Sequence, residues 1–118
     1  MKGTLLYLVS LILLFIFYPI GYIWSLIIVK WAKLGRYNEN VAIGIDVLGN
    51  IFLAPVLNKY FVTNKGYQFG YRGETISSVL GKNKIVNMLS ALGKTLANLL
   101  DKIDKNHCIN SIDKRRNW

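Results

Sequence analysis

The pattern of hydrophobic and polar positions is dominated by the first third of the chain. Residues 4–29 form a run of 26 without a single charged side chain. A bilayer core about 30 Å thick is crossed by roughly 20 apolar residues in a helix, so this run can span it with some tilt. A cleavable signal peptide has a shorter apolar centre followed by small residues, and residues 24–29 lack that pattern. The run therefore predicts an uncleaved transmembrane anchor.

Two residues that disturb helices, Pro19 and Gly21, lie inside the run. Proline removes a backbone donor and clashes with the preceding turn, so we expect a kinked or tilted span. A re-entrant hairpin with both ends on one side is the alternative, although its halves would be too short to cross the bilayer. Trp24 and Trp31 are residues that anchor a helix near lipid headgroups.

A second apolar stretch covers residues 41–57 and contains two polar side chains, Asp46 and Asn50. Their spacing of four places both on one face of a helix, with Asn40 as a natural N-cap and Pro55 as a late bend. A helix that crossed the bilayer here would bury Asp46 in lipid, at a cost of several kcal/mol. Two interpretations remain open: an amphipathic helix in the membrane interface, or a helix of the domain core.

In residues 59–73 the helical spacing gives way to the alternation of a strand. The aromatic residues Tyr67, Phe69 and Tyr71 stand at every second position, after turn residues at 64–66. This pattern predicts a β-hairpin or an aromatic loop on the membrane surface. Aromatic side chains between basic ones can stack on bases, but two strands are a thin platform, so nucleic acid is disfavoured as a partner.

Helical periodicity returns near the end of the chain. Residues 74–81 predict a short helix stopped by Gly81, and residues 84–103 predict an amphipathic helix with apolar positions three and four apart. Such a stripe usually packs in a core, and it could also pair with a second copy of the chain.

The predicted fold class is mainly α: one N-terminal transmembrane helix and a small helical juxtamembrane domain, with or without a short β-hairpin. The chain is accordingly divided into a transmembrane anchor with its basic flank at 1–36, an interfacial or core amphipathic helix at 37–58, a small, mostly helical basic domain at 59–113, and a basic tail at 114–118.

Charge is distributed unevenly along these segments. The chain has 15 Lys and Arg against 6 Asp and Glu, a net charge of +9, and Lys2 is the only charged side chain before Lys30. Lys30, Lys33 and Arg36 outnumber the positive groups at the amino terminus. The positive-inside rule therefore favours a single pass with a cytoplasmic C-terminal body.

The basic balance suits anionic lipid headgroups or an acidic protein face. The 89 residues after the apolar run are few enough that a single core is only marginally stable, so part of their apolar surface is expected to lie against the membrane, a protein partner or a second copy. The basic cluster Lys114, Arg115 and Arg116 is expected to form a solvated or lipid-facing tail.

Little in the sequence points to catalysis. The only cysteine and the only histidine, Cys108 and His107, are adjacent, and sequence neighbours generally point apart, so their adjacency is no evidence for a nucleophile–base pair. One histidine and one cysteine supply no zinc ligand set, and there is no phosphate-binding glycine loop. We expect a protein that is not an enzyme, with no cofactor or metal.

Two short motifs carry a resemblance. The sequence ETISS at residues 74–78 and the sequence HCINS at residues 107–111, behind one apolar segment, resemble the "ETxSS" and "HCxxS" boxes of a group of small phage- and prophage-encoded membrane proteins. In that group Pro-Asp typically precedes the first box, whereas Arg72-Gly73 stands here. The resemblance implies a phage origin and no particular activity.

From these observations we expect a phage-encoded accessory protein of the host bacterial inner membrane, acting by protein contacts in superinfection exclusion or host-envelope modulation. A holin-type lysis protein and a virion-associated component of the portal, tail or ejection apparatus are the alternatives. The two motifs are expected to meet in a polar clasp, in which Glu74, Thr75 and Ser78 of the first contact His107, Cys108 and Ser111 of the second. The candidate structural or contact residues of the two motifs are Glu74, Thr75, Ser77, Ser78, His107, Cys108 and Ser111.

Overall fold

The computed structural model describes all residues from Met1 to Trp118. It is mainly α-helical and contains no β-strand, which confirms the predicted fold class. The chain divides into two compact units, Met1–Asn40 and Val41–Trp118. The helices are α1 (Lys2–Ile28), a 3-10 turn (Trp31–Lys33), α2 (Leu34–Phe52), α3 (Ala54–Tyr60), α4 (Ile76–Ile85), α5 (Ala91–Ile103) and α6 (His107–Asn110).

The first unit contains the predicted anchor. α1 has 27 residues, none of them buried, and it continues through Pro19 as one helix. A hairpin folded back at Pro19 is therefore wrong. The hydroxyl of Ser10 donates to the carbonyl of Leu6 (2.8 Å) and that of Ser25 donates to the carbonyl of Gly21 (2.7 Å), so both polar side chains are satisfied within the helix. By length and composition α1 can cross a membrane.

The second apolar stretch forms two helices. α2 ends at Phe52, Leu53 leaves the helical backbone region, and α3 begins with Pro55 in its first turn, where a missing N–H costs no hydrogen bond. The bend between the segments is 72°. Pro55 thus starts a new helix after a sharp bend.

The β-hairpin expected at residues 59–73 is wrong. α3 runs on to Tyr60, and the only β-type pairing is an isolated bridge between Val62 and Leu89. Backbone N–H groups of the segment bond to side chains instead of to a second strand: that of Phe69 donates to Asn58 Oδ1 (2.6 Å). Asparagine side chains supply the acceptors that a partner strand would have provided.

The helix boundary expected at Gly81 is also wrong. α4 continues through Gly81 to Ile85, and α5 starts only at Ala91. Between them Asn87 takes a left-handed conformation (φ 57°), and the hydroxyl of Ser90 caps α5 by accepting from the N–H of Gly93 (3.2 Å). Asn87 and the capping Ser90 therefore interrupt the single helix that the apolar spacing predicted over residues 84–103.

The core of the second unit is small. Its buried apolar residues are Leu57, Val62, Phe69, Val79, Leu80, Leu89, Ala97 and Cys108. α5 buries its small residues Gly93 and Ala97 in this core and packs the partly buried Leu96 and Leu100 against it. Leu92, Leu99 and Ile103 are exposed. The apolar stripe of residues 84–103 is therefore only in part a core face.

Candidate functional site

The polar face of α2 bonds to the first turn of α4 and to the loop that precedes it. The carboxylate of Asp46 accepts the backbone N–H of Ile76 on Oδ1 (2.7 Å) and the hydroxyl of Ser77 on Oδ2 (3.0 Å). A carboxylate is favourable beside the free N–H groups that open a helix. Asp46 therefore acts as a capping group for a helix 30 residues away in sequence.

Asn50, one turn further along α2, is completely buried. Its amide donates to the carbonyls of Glu74 (2.8 Å) and Tyr71 (3.3 Å), and its Oδ1 accepts the N–H of Gly70 (3.0 Å). Together with Asp46 it holds the loop before α4 against α2. This face of the second apolar stretch thus belongs to the domain core.

The centre of the candidate site is a buried ion pair. Lys82 Nζ lies 2.6 Å from Glu74 Oε1, and both side chains are completely shielded from solvent. The hydroxyl of Ser78 donates to Glu74 Oε1 (2.7 Å) and that of Tyr67 donates to Oε2 (2.8 Å). All buried side-chain nitrogen and oxygen atoms of the protein have a partner. A buried charge is tolerated in this way only when it is paired and hydrogen-bonded.

Tyr67 encloses the ion pair from one side. Lys82 Nζ lies 4.4 Å from the centre of its ring, within cation–π range. Burial, together with the hydrogen bond to Glu74, raises the pKa of the Tyr67 hydroxyl well above its usual value, so it stays a donor. Asn83 fixes the residue by accepting its N–H and donating to its carbonyl, both at 2.8 Å.

The segment after α6 covers the ion pair from the other side. Lys82 Nζ donates to the carbonyl of Arg116 (3.3 Å) and lies 5.4 Å from the ring of Trp118. The N–H of Asp113 donates to the Ser78 hydroxyl (2.8 Å). We call residues 113–118 the cover segment. Its backbone and terminal ring complete the shielding of Lys82.

The basic side chains of the cover segment have different environments. The guanidinium of Arg116 lies 4.4 Å from the centre of the Tyr71 ring. Arg115 is exposed and pairs with Asp113 (2.6 Å), which holds the pKa of the Asp113 carboxyl well below its usual range, and Lys114 is exposed. All three basic side chains of the cluster expected as a solvated or lipid-facing tail are thus exposed, and Arg115 and Arg116 also contact the domain, through the Gly73 carbonyl (3.3 Å) and the Tyr71 ring.

The two sequence motifs are neighbours. His107 Nε2 lies 3.2 Å from the Ser77 hydroxyl, and Nδ1 lies 3.1 Å from Asp104. The side chain of Thr75 accepts the N–H of Ser78 (3.0 Å) as the N-cap of α4. The side-chain contact between the two motifs is made by Ser77, which was not among the residues of the proposed clasp. Glu74 instead binds Lys82, Ser78 and Tyr67, none of which belongs to the second motif.

Cys108 belongs to the core. It is completely buried, its N–H donates to Asp101 Oδ1 (3.0 Å), and its sulfur lies 3.8 Å from the carbonyl of Ala97. Burial raises the pKa of the thiol from 9.0 to about 12. Asp101 also pairs with Lys84, which lowers the pKa of its carboxyl. The last residue named in the second motif, Ser111, donates its N–H to the carbonyl of His107 (2.9 Å).

The buried thiol gives a first testable prediction. Each pKa unit lowers the thiolate fraction tenfold, so a shift from 9.0 to about 12 lowers it about a thousandfold at neutral pH. We expect iodoacetamide to alkylate Cys108 more slowly in the folded chain than in urea, by a factor on the order of a thousand, measured by mass spectrometry over time. An Ala91→Cys variant, at an exposed position of α5, is the control that should react fast in both states. Equal rates at the two cysteines in the folded chain would contradict the buried placement.

The candidate anchor residues lie in the first unit. Pro19, Gly21, Trp24 and Trp31 are all exposed, as are the basic residues Lys30, Lys33 and Arg36. Near the end of α1 the ring of Tyr22 stacks on that of Tyr37 (6.0 Å between centroids), and its hydroxyl donates to Asn38 (3.0 Å). The first unit thus holds α1 and the start of α2 together by an aromatic and polar contact.

The role of Lys82 was missed in the sequence, and so were those of Tyr67 and Asn83. Lys82 lies in a polar helix segment, KNK, that is typical of a solvated surface. The hydrogen bonds and the ion pair of Glu74 and Lys82 are all made within the protein, as is typical of a cluster that stabilises a fold. Comparison with protein-family models, with curated proteins and with solved structures found no match to this chain.

Proposed function

We propose that this protein is a phage-encoded accessory protein of the host inner membrane and is not an enzyme. α1 crosses the bilayer once and the second unit lies in the cytoplasm. The protein acts by contact with a membrane protein of the host or with components of an incoming phage, excluding a second infection or altering the envelope.

The observation that carries the membrane part of the proposal is α1 itself: a largely apolar helix of 27 residues with none buried, joined to a small domain. A helix of that composition is stable only where lipid or another apolar surface covers it. The polar centre of the domain supports a contact role over a catalytic one, because Ser78 and Lys82 both bond to Glu74 and residues 113–118 cover the cluster. The basic flank Lys30, Lys33 and Arg36 supports a cytoplasmic domain.

The proposal predicts a cell-level result. Bacteria that express the full chain before challenge should show reduced plaquing by a panel of phages, with normal growth and an unchanged membrane potential. A fluorescent protein fused after Trp118 reports the topology, since it folds in the cytoplasm and not after export. The matched control is Lys82→Met, which keeps the anchor and disrupts the domain, and should lose protection.

Three outcomes contradict the proposal. Depolarisation at a set time after induction indicates the holin-type alternative. Detection of the chain in purified phage particles indicates the virion-associated alternative. Normal plaquing by every phage, together with an unaltered envelope, removes the accessory role.

A further inference from the structure

The bent helix pair α2–α3 carries exposed apolar residues on both of its helices. We call these residues together the outer face: Ile45 (64 % exposed), Leu48 (47 %) and Phe52 (58 %) on α2, and Val56 (52 %) and Tyr60 (51 %) on α3. In α2 these residues are three and four apart, so they form one stripe on the helix. An apolar stripe of this length that remains in water is unfavourable.

The orientation of the outer face is fixed by the opposite side of α2. Asp46 and Asn50 bond to the backbone of residues 70–76, which holds the helix to the domain. The helix is therefore not free to rotate and bury its stripe. It is also not free to cross a bilayer, because the polar loop bound to Asp46 and Asn50 would have to enter the lipid with it.

Charges lie only at the margins of this surface. Between residues 41 and 58 the one charged side chain is Asp46, which points to the domain. At the far end Lys59 Nζ lies 5.3 Å from the ring of Tyr60, so a positive charge and an aromatic ring border the stripe. Apolar stripes with basic and aromatic borders are the pattern of helices that lie in the boundary between headgroups and acyl chains.

The chain itself keeps the outer face close to the membrane. Twelve residues, 29–40, separate the end of α1 at Ile28 from Val41, and seven of these are already in α2. Helical residues advance only about 1.5 Å each, so this connection is short compared with the bilayer. After residue 29 the chain has 14 basic and 6 acidic residues, a charge complementary to anionic headgroups.

We infer that the outer face of α2–α3 lies in the headgroup region of the leaflet at which α1 ends, with the axis of α2 along the membrane surface. This second contact holds the domain on the membrane. The inference rests on the proposed anchor, since it needs α1 to hold the chain at the bilayer. The domain then offers to a protein partner the surface that faces away from the lipid.

The test uses the full chain in vesicles of phosphatidylcholine and phosphatidylglycerol. Single nitroxide labels are placed by Ile45→Cys and Phe52→Cys in a Cys108→Ala background. Lys94→Cys, at an exposed position of α5, is the solvent control, and Leu13→Cys, within α1, is the lipid control. Relaxation by dissolved oxygen, which concentrates in lipid, is compared with relaxation by a water-soluble nickel chelate.

We expect the labels at positions 45 and 52 to be more accessible to oxygen than to nickel, at a shallower depth than the label at 13, while the label at 94 shows the reverse. Nickel accessibility at 45 and 52 equal to that at 94 overturns the inference. So does protection from both agents with spin–spin broadening, which indicates a second copy on this face, and so does a depth equal to that of position 13, which indicates a second span.

The two proposals fail in different ways. If the label at 13 is accessible to nickel, the anchor itself is wrong. If the label at 13 is in lipid while those at 45 and 52 are in water, the anchor stands and only the seating of the domain is wrong.

Discussion

Replacement of Lys82 by methionine is expected to destabilise the second unit by roughly 3–5 kcal/mol, because it leaves the carboxylate of Glu74 buried without its counter-charge. The hydroxyls of Ser78 and Tyr67 would remain as its only side-chain partners. The measurement is urea unfolding of the full chain in detergent micelles, followed by near-ultraviolet circular dichroism.

Two further variants isolate the cause. The double variant Glu74→Gln, Lys82→Met removes both charges and should be more stable than Lys82→Met alone. Lys84→Met breaks the partly exposed pair with Asp101, where a loss of at most about 1 kcal/mol is expected. A Lys82→Met variant no less stable than Lys84→Met would show that the buried pair does not hold the domain together.

Gly81→Ala is the second substitution with a large expected effect, a loss of about 1–3 kcal/mol or more. A Cβ at this position would collide with the backbone carbonyl of Cys108 and press on the side chain of Ile112. Backbone atoms do not move aside as a flexible side chain can, so α6 would have to separate from α4. The same unfolding experiment measures the loss.

Gly44→Ala provides a control of opposite sign. Gly44 also lies inside a helix, but a Cβ there meets no atom within 4 Å. The substitution should stabilise α2 by about 0.5–1 kcal/mol through helix propensity alone. If Gly81→Ala stabilises the chain as Gly44→Ala does, the close approach of α4 and α6 is wrong.

The anchor and the helical class were predictable because they depend on local properties. An uncharged run of 26 residues and a recurring spacing of three and four are read directly from neighbouring positions. Asp46 and Asn50 were placed on one face by the same rule. The sequence left their environment open, and the structure adds that they bind the loop before α4 while the other side of α2 stays exposed.

The wrong predictions concern positions where contacts with distant parts of the chain override the local sequence pattern. The alternation of Tyr67, Phe69 and Tyr71 has the period of a strand, yet the acceptor for the Phe69 N–H is the side chain of Asn58. Glycine is a residue type that often ends helices, yet Gly81 lies within α4, where the backbone of Cys108 is too close to leave room for a side chain. The conformations of both segments depend on residues distant along the chain, Asn58 for Phe69 and Cys108 for Gly81.

The buried ion pair could not be found from one sequence for the same reason. Glu74 and Lys82 are eight positions apart, a spacing that local rules do not single out. What shields them comes from Tyr67 on one side and from Arg116 and Trp118 on the other. Those partners become evident only when the fold brings the segments together.

The cover segment has a consequence for the order in which the domain assembles. Glu74, Ser78 and Lys82 are close along the chain, so they can meet early, while still in contact with water. The bonds from Asp113 and Arg116 join residues 34 and 35 positions apart, and such non-local contacts form late. We therefore expect dehydration of the ion pair to come late in folding, and release of the cover segment to be an early step by which water re-enters the domain.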